Sequence, residues 1–157
     1  MSRIEGTELN QDLLTLLDGT DLDNKVGETI LLLTVSDSGW PHLAMLSAGE
    51  VLATRPGEVR MALWKGTTTG NNLRRTSQGT LALVYGGAGH YIELEVSGIA
   101  DLRLGTKSLD YFACRVTKAL SDVVGYATLT TGIRFELPRR EDIVARWERT
   151  VAAMREL

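Results

Sequence analysis

A long segment in the middle of the chain alternates apolar and polar side chains with a period of two. In residues 90–104, Ile92, Leu94 and Val96 begin a series of apolar even positions, whereas the odd positions are mostly charged or polar. Because successive side chains of a β-strand point to opposite faces, this segment is predicted to be one long strand. Gly98 interrupts the apolar series, which indicates a β-bulge or a close backbone approach.

Six further segments carry strand patterns and are separated by turn residues. Asp37-Ser38-Gly39 and Pro56-Gly57 are turn signals that predict hairpins between their flanking segments. The additional strands are predicted at residues 28–36, 41–48, 50–55, 58–65, 79–85 and 131–137. Together with residues 90–104 they make about seven mostly antiparallel strands, so the fold is predicted to be mainly β. Closing such a sheet into a small barrel solves the problem of unprotected edges.

Four segments are predicted to be helical, two of them at the ends of the chain. Regularly spaced leucines in residues 8–18 predict a helix with Thr7 as its N-cap, and residues 20–27 follow as a solvated loop. Residues 67–76 are predicted to be a loop entering a short helix, and the apolar stripe of residues 107–123 predicts another. Pro138 opens a terminal helix. No linker divides the chain, so residues 1–157 are predicted to form a single domain with N-terminal and C-terminal helices.

Charge balance and cysteine content exclude several classes of protein. The 157 residues carry a net charge of −3, whereas nucleic-acid binding driven by bulk charge requires a basic surface. The single cysteine, Cys114, cannot form an internal disulfide, which favours a reducing compartment. No apolar run is long enough to span a bilayer, and the N-terminal sequence lacks the apolar core of a secretory signal. We therefore expect a cytoplasmic protein with neither a nucleic-acid nor a membrane partner.

Residues that often act in catalysis are few and scattered. His42 and His90 each begin a strand pattern without a carboxylate or hydroxyl partner beside them, which favours a structural or surface role. Cys114 is interpreted as a small buried hydrophobe rather than a nucleophile. The sequence GGAGH at residues 86–90 joins two strands, so it is interpreted as a hairpin turn and not as a phosphate loop. These residues predict neither a catalytic group nor a metal site.

The sequence LWKGTTTGNNLRR at residues 63–75 is the most informative candidate site. Three threonines, two asparagines and three cations lie where a predicted strand runs into the start of a helix. Backbone N–H groups at such a start attract anions and hydroxyls add donors, so a phosphate site is one interpretation. A capped polar turn with solvated arginines is the other, and composition alone leaves both open.

The order of these features resembles the pyridoxamine 5′-phosphate oxidase-related, FMN-binding split β-barrel family. Four sequences within residues 28–104 carry the resemblance: TVSDSGWPHLAMLSAG, VRMALWK, TTTGNNLRR and GTLALVY. The resemblance implies a split β-barrel and a homodimer that holds FMN in a cleft between two barrels. It also implies a flavin-dependent oxidoreductase in which the flavin supplies the redox chemistry and the protein supplies position and electrostatics for an unassigned small-molecule substrate.

The resemblance further implies which residues contact the cofactor. The phosphate ligands would be Ser47, Thr67, Thr68 and Thr69; Leu63, Trp64 and Lys65 would edge the ring and the ribityl chain; Asn72 would brace the loop. Family members commonly carry Arg or Lys in place of these threonines and Arg in place of the serine. Cations hold a phosphate dianion more strongly than hydroxyls do, so Lys65, Arg74 and Arg75 are candidates to supply the charge.

Several alternatives remain open beside the FMN enzyme. The barrel could use the deazaflavin F420 in a reductase, or it could be a non-catalytic dimeric module that binds flavin or haem. In a further alternative the threonine loop binds nothing and the chain is a structural dimer. The sequence also lacks an evident second cluster of Arg, His and Tyr near the C-terminus that would bind a substrate phosphate, so pyridoxamine phosphate oxidase activity itself is not implied.

Overall fold

The computed structural model describes residues 2–157, with side chains from residue 6 onward. These residues form eight strands, three α-helices and one short 3-10 helix, Leu22–Lys25; none of the helices is long and apolar enough to cross a membrane. The elements are β1 Ser2–Gly6, α1 Gln11–Leu17, β2 Ile30–Val35, β3 Pro41–Leu46, β4 Val51–Arg55, β5 Glu58–Trp64, α2 Thr68–Thr76, β6 Gln78–Tyr85, β7 Ala88–Leu104, β8 Lys107–Asp122 and α3 Arg140–Arg155.

The strands form one antiparallel sheet that curves into a split barrel. Its order is β3-β2-β6-β7-β8-β5-β4, and β1 pairs with β8. The predicted hairpins β2–β3 and β4–β5 are confirmed, as is the hairpin turn between β6 and β7. The register of β7 against β8 shifts between Val96 and Gly98, which confirms the predicted bulge. The sheet therefore has eight strands, against about seven predicted.

The inner core fills the barrel with side chains from alternating strand positions. Along β5, Val59, Met61 and Leu63 point inward, as the period-two pattern predicts. Phe112 of β8 is fully buried in the same cluster, and the leucines of α1 pack into it. Burying each such side chain stabilises the fold by about 1.5–3 kcal/mol, so the inner core holds the two halves of the sheet together.

An outer core lies between α3 and the sheet. Trp147, Val151 and Met154 of α3 are buried in it, together with Tyr111 of β8. Trp147 lies directly against Gly49, where a Cβ atom would come within 2.0 Å of the indole Cγ. The absence of a side chain at Gly49 therefore allows α3 to approach the chain that links β3 to β4.

The prediction of a helix at residues 107–123 is wrong, because this segment is strand β8. Both of its faces are buried: Phe112 and Cys114 face the inner core, whereas Tyr111 and Ala113 contribute to the outer core. A register shift against β7, between Glu93 and Leu94, then changes the phase of the alternation. Burial on both faces and a change of phase produced apolar spacings that match a helix as well as a strand.

The prediction of a final strand at residues 131–137 is also wrong. The segment between β8 and α3 has no regular secondary structure. Phe135 and Leu137 nevertheless pack on the outer core, while Ile133 is half exposed. Arg134 ties the segment to the body through Glu28 Oε1 at 2.8 Å and the Val26 carbonyl at 3.2 Å. An extended chain that packs alternate residues without a strand partner therefore mimics the strand pattern.

Two predictions near the N-terminus need correction. The N-cap of α1 is Asn10 and not Thr7, because the Asn10 side chain accepts a hydrogen bond from the Leu13 N–H at 3.0 Å. Residues 20–27 are not a solvated loop, since they contain the 3-10 helix and bury Leu22 and Val26. Lys25 is buried as well and donates to Asp18 Oδ1 at 2.8 Å. The polar composition of this segment concealed the burial of Leu22, Val26 and Lys25.

Gly49→Ala is predicted to destabilise the protein, because the new methyl group would displace Trp147 and loosen α3. Overpacking of this kind costs about 1–3 kcal/mol in the free energy of unfolding, measured by urea denaturation. Gly125→Ala is the control, since no atom lies within 4 Å of its added Cβ. Equal stabilities of the two variants would contradict the tight approach of α3.

Candidate functional site

A cleft of about 170 Å³ lies where β3, β5 and the start of α2 meet. Its walls are largely apolar, with Met45 from β3 and Leu63 and Trp64 from β5. Thr67 and Thr69 supply hydroxyl groups on the side of α2. This first cleft therefore combines a flat apolar surface with donors from the beginning of a helix.

The threonine loop is organised as the N-terminus of helix α2. Thr67 is the N-cap, and its hydroxyl oxygen accepts a hydrogen bond from the Gly70 N–H at 3.1 Å. The Asn71 N–H donates to the Thr67 carbonyl at 3.0 Å. The N–H groups of Thr68 and Thr69 have no acceptor among the described residues, as is usual in the first turn of a helix. The predicted short helix is confirmed, and its two free donors lie beside the first cleft.

Thr69 differs from its two neighbouring threonines. Its residue surface is only 4% exposed, yet no described residue forms a hydrogen bond with its hydroxyl group. Thr68 is exposed and does not line the cleft. The Thr67 hydroxyl already caps the helix. Thr69 is therefore the threonine whose hydroxyl is available to bind a ligand.

Asn72 braces the helix start against the barrel. Its amide Nδ2 donates to the Thr34 hydroxyl of β2 at 3.0 Å, and both side chains are buried. Its Oδ1 accepts from Arg75 Nη1 at 3.1 Å. Arg75 also donates to the Val35 carbonyl. Asn72 therefore has the bracing position that the resemblance implies, outside the cleft itself.

Two of the three cations of the loop, Lys65 and Arg74, contact a buried carboxylate. Asp110 of β8 accepts two hydrogen bonds from Arg74, at 2.9 and 3.1 Å, and its side chain is 3% exposed. Lys65 contacts Asp110 at 3.5 Å and also Asp101. Arg74 lies over the Phe112 ring at 5.5 Å from the centroid. Neither Arg74 nor Arg75 lines the first cleft, so their positive charges serve the fold rather than the threonine loop.

A second, larger cleft adjoins the first and shares Glu50, Ala62 and Trp64 with it. It has a volume of about 610 Å³ and lies between the end of β5, the β7–β8 turn and α3. Its remaining lining residues are Lys65, Leu104, Gly105, Thr106, Lys107, Ser108, Leu109, Arg146, Trp147, Arg149 and Thr150.

Glu50 lies at the junction of the two clefts. Burial raises the pKa of its carboxyl group, while hydrogen bonds from Ser47 and the charge of Arg146 act in the opposite direction. The Ser47 N–H donates to Glu50 Oε2 at 2.7 Å. Ser47 therefore forms its hydrogen bonds within the turn between β3 and β4, where its hydroxyl oxygen also accepts a hydrogen bond from the Gly49 N–H at 3.3 Å.

The structure brings together only part of the residue set that the resemblance implies. Leu63, Trp64, Thr67 and Thr69 line the first cleft, and Lys65 lines the second. Ser47, Thr68 and Asn72 line neither. The sequence analysis missed Glu50, Lys107 and the arginines of α3, because they lie in separate elements and match no motif. The spacing of Arg146 and Arg149 on one helical face was the only signal for them.

Neither histidine lies in the clefts. His90 is buried, and its Nε2 lies 2.9 Å from the Tyr85 carbonyl. His42 is half-buried on β3. Burial raises the pKa of the Cys114 thiol to about 12, so its thiolate is not formed near neutral pH. The interpretation of Cys114 as a buried hydrophobe is confirmed.

The Asp110 carboxylate is predicted to stabilise the protein in a pH-dependent way. The hydrogen bonds from Arg74 hold the pKa of Asp110 below its ordinary value. Its contribution is therefore complete above the unfolded pKa of about 3.9 and is lost as the pH falls through the lower folded value. We expect Asp110→Asn to cost about 1.5–3 kcal/mol at pH 7 and progressively less below about pH 4.

Glu95→Gln is the matched control for this measurement by urea denaturation at several pH values. Glu95 pairs with Arg115 at 2.8 Å, but both side chains are more than half exposed. Exposed pairs contribute about 0–1 kcal/mol, so this variant is expected to resemble the wild type. A loss on Asp110→Asn that stays constant from pH 7 to pH 2 would contradict the assignment.

Comparison of the sequence with known proteins identifies a close relative. The chain is 39% identical over 143 residues to the uncharacterized protein YclD of Bacillus subtilis, covering 91% of this chain and 93% of that one. No family model matches the sequence.

Solved structures share the fold at low sequence identity. A protein of Lactobacillus delbrueckii provisionally assigned as a pyridoxamine 5′-phosphate oxidase aligns with a TM-score of 0.60 and 11% identity, over 76% of this chain and 98% of that one. An FMN-binding protein of Syntrophomonas wolfei aligns with a TM-score of 0.50 and 19% identity, over 70% of this chain and 88% of that one. An F420 reductase aligns with a TM-score of 0.51 and 11% identity, over 67% of this chain and 93% of that one.

These likenesses match the antiparallel barrel and its helices described above. The chain therefore belongs to the family of Bacillus subtilis YclD and has the split β-barrel fold of pyridoxamine 5′-phosphate oxidase-like, FMN-binding proteins.

Proposed function

We propose that the chain binds FMN in the first cleft and acts as a flavin-dependent oxidoreductase on a small molecule. The observation that carries this proposal is the Thr69 hydroxyl, which lines the cleft without a hydrogen-bond partner among the described residues, next to the backbone N–H groups at the start of α2. Donors that are unpaired at a helix start favour an anionic ligand, which accepts hydrogen bonds from them. An FMN-binding protein with the same fold supports the choice of ligand.

The residues present fit the two chemically different parts of FMN. A phosphate group needs donors, which the Thr69 hydroxyl and the N–H groups of Thr68 and Thr69 offer at the positive end of α2. An isoalloxazine ring needs flat apolar surface, which Met45, Leu63 and the exposed indole of Trp64 offer. The residue types that line the cleft therefore match both parts of FMN, and no cation of the described residues lies among them.

Among the described residues no free cation lies in that subsite, which has an energetic consequence. Arg74 is held by Asp110, and Arg75 by Asn72 and the Val35 carbonyl, so neither supplies charge to the loop. Neutral donors bind a phosphate more weakly than a guanidinium or ammonium group does. We therefore expect FMN to exchange with solution rather than to remain bound through purification.

The chain's own contribution to catalysis would be binding, orientation and exclusion of water. Bound flavin supplies hydride and electron transfer, which no side chain in the clefts can provide. Trp64 and Glu50 border both clefts, so a substrate in the second cleft would lie next to a cofactor in the first. The Glu50 carboxyl, whose pKa burial raises, is the titratable group at that junction.

F420 is the alternative cofactor, because an F420 reductase shares the fold. The first cleft could accept the deazaflavin ring on the same apolar wall. Comparing the thermal stability of the protein with FMN and with F420 distinguishes the two, since the ligand that binds the native state raises its melting temperature.

Substitutions at Thr69 test the cofactor proposal. Thr69→Ala removes a donor worth about 1.5–3 kcal/mol to a charged oxygen, so FMN should bind about tenfold more weakly or worse. Thr69→Glu should abolish binding by repulsion, and Thr69→Lys should strengthen it by adding charge. Quenching of FMN fluorescence on titration with each protein gives the dissociation constants.

Two neighbouring threonines provide the controls for that titration. Thr68→Ala should leave the FMN affinity unchanged, since the Thr68 side chain is exposed and outside the cleft. Thr67→Ala should weaken binding and also cost about 1 kcal/mol of stability, because Thr67 caps α2. Equal affinities of wild type, Thr69→Ala and Thr69→Glu would refute the FMN site.

We also propose that the protein is a homodimer that closes the first cleft. β3 is an edge strand of the sheet, and it exposes Leu43 and Met45 on its outer side. Trp40 and Trp64 add two indoles that are 75% and 68% exposed. Apolar surface of this kind on a soluble chain is typical of protein interfaces. Met45 and Trp64 also line the cleft, so a partner subunit seated here would cover a bound ring.

The dimer proposal predicts the effect of a charge on β3. The wild type should have twice the 17.2 kDa mass of the chain by light scattering at micromolar concentration, and Leu43→Asp should have the mass of one chain. An unpaired carboxylate buried in an interface is strongly unfavourable. Val123→Asp, at an exposed apolar position after β8, should remain dimeric. A monomeric wild type would refute the dimer.

A further inference from the structure

The second cleft contains an excess of unpaired positive charge. Lys107, Arg146 and Arg149 line it, and none of them forms an ion pair or a side-chain hydrogen bond with a described residue. Among the described lining residues the only carboxylate is Glu50. A fourth cation, Lys65, also lines the cleft but is paired with Asp101 and Asp110.

The three unpaired cations converge from separate parts of the fold. Lys107 lies at the start of β8, whereas Arg146 and Arg149 lie three residues apart on α3 and so share a face of that helix. The chain as a whole has a net charge of −3, so this cluster runs against the overall balance. Glu50, on which the charge of Arg146 acts, offsets only part of this positive charge, so the cleft attracts an anion. A concave site focuses the resulting field on a ligand.

The same cleft also offers apolar surface and neutral donors. The Trp64 indole and Leu109 contribute the apolar part, and the hydroxyls of Thr106 and Ser108 lie at the turn between β7 and β8. Its volume of about 610 Å³ lies within the usual range for small-molecule sites. An inorganic ion alone would leave most of this space unused.

We propose that the second cleft binds the carboxylate or phosphate group of a small organic molecule through Arg146, Arg149 and Lys107. The apolar part of the molecule lies against the Trp64 indole, at the boundary with the first cleft. The inference rests on the proposed function in one respect: it takes this molecule to be the substrate of the flavin-dependent reaction. It also means that the C-terminal helix supplies the anion-binding cluster that the sequence pattern did not reveal.

Phenyl phosphate is a suitable probe, with benzyl alcohol as its neutral counterpart. Addition of phenyl phosphate to the ¹⁵N-labelled protein should shift the indole N–H signal of Trp64 saturably, whereas that of Trp40 should not move. Benzyl alcohol should bind about tenfold more weakly or worse, because it lacks charge-assisted hydrogen bonds. Equal affinity for the two probes, or no shift at Trp64, would overturn the proposal.

Neutralising the arginines localises the site. The double variant Arg146→Gln/Arg149→Gln should bind phenyl phosphate about tenfold more weakly or worse. The double variant Arg55→Gln/Arg139→Gln removes the same net charge at exposed positions outside the cleft and should bind within about twofold of the wild type. Lys107→Gln tests the same site with a residue of β8, so its result does not depend on whether the arginine substitutions disturb α3. Equal affinities of the two double variants would overturn the proposal.

The experiment also separates a substrate anion from the phosphate of the cofactor. FMN should bind equally well to the wild type and to Arg146→Gln/Arg149→Gln, and phenyl phosphate should bind in the presence of FMN. A loss of FMN affinity with riboflavin binding unchanged would assign the cations to the cofactor and overturn the proposal. If the wild type binds phenyl phosphate but no FMN, the proposed flavin function fails and the anion site stands.

Discussion

The buried carboxylate of Asp110 is the interaction on which the arrangement of both clefts depends. It lies on β8 and binds Arg74 of α2 through two hydrogen bonds, while Lys65 at the end of β5 approaches it from the other side. Three elements are thereby joined at one point, just behind the threonine loop. A carboxylate removed from water must be paired, so the position of α2 is tied to the barrel wall.

This ion pair also determines how charge is distributed on the molecule. Because Asp110 holds Arg74 and contacts Lys65, the start of α2 presents neutral donors to the first cleft. Three cations without an ion-pair partner among the described residues, Lys107, Arg146 and Arg149, line the second cleft instead, on β8 and α3. This distribution suits the two proposed ligands, a weakly held FMN phosphate in the first cleft and a more strongly held substrate anion in the second.

The sequence predicted the barrel better than it predicted the site. The hairpin at Pro56-Gly57 was predicted correctly because its turn residues mark the ends of both strands, and β5 because polar residues such as Arg60 alternate with its inward-facing apolar residues. β8 failed because both faces are buried, and its cysteine, aromatic and alanine positions fit two periods equally well. The threonine loop was found from a local pattern. Glu50, Lys107 and Arg146 could not be found, because only the packing of α3 brings them together.

The packing of α3 in turn couples the two clefts. Trp147 rests on Gly49, in the same short turn in which the Ser47 N–H binds the Glu50 carboxylate. Glu50 borders both clefts, and the positive charge of Arg146 favours its ionised form. An anion bound by Arg146 would weaken that influence and raise the pKa of Glu50 further. Occupation of the second cleft would thereby change the electrostatics at its junction with the first.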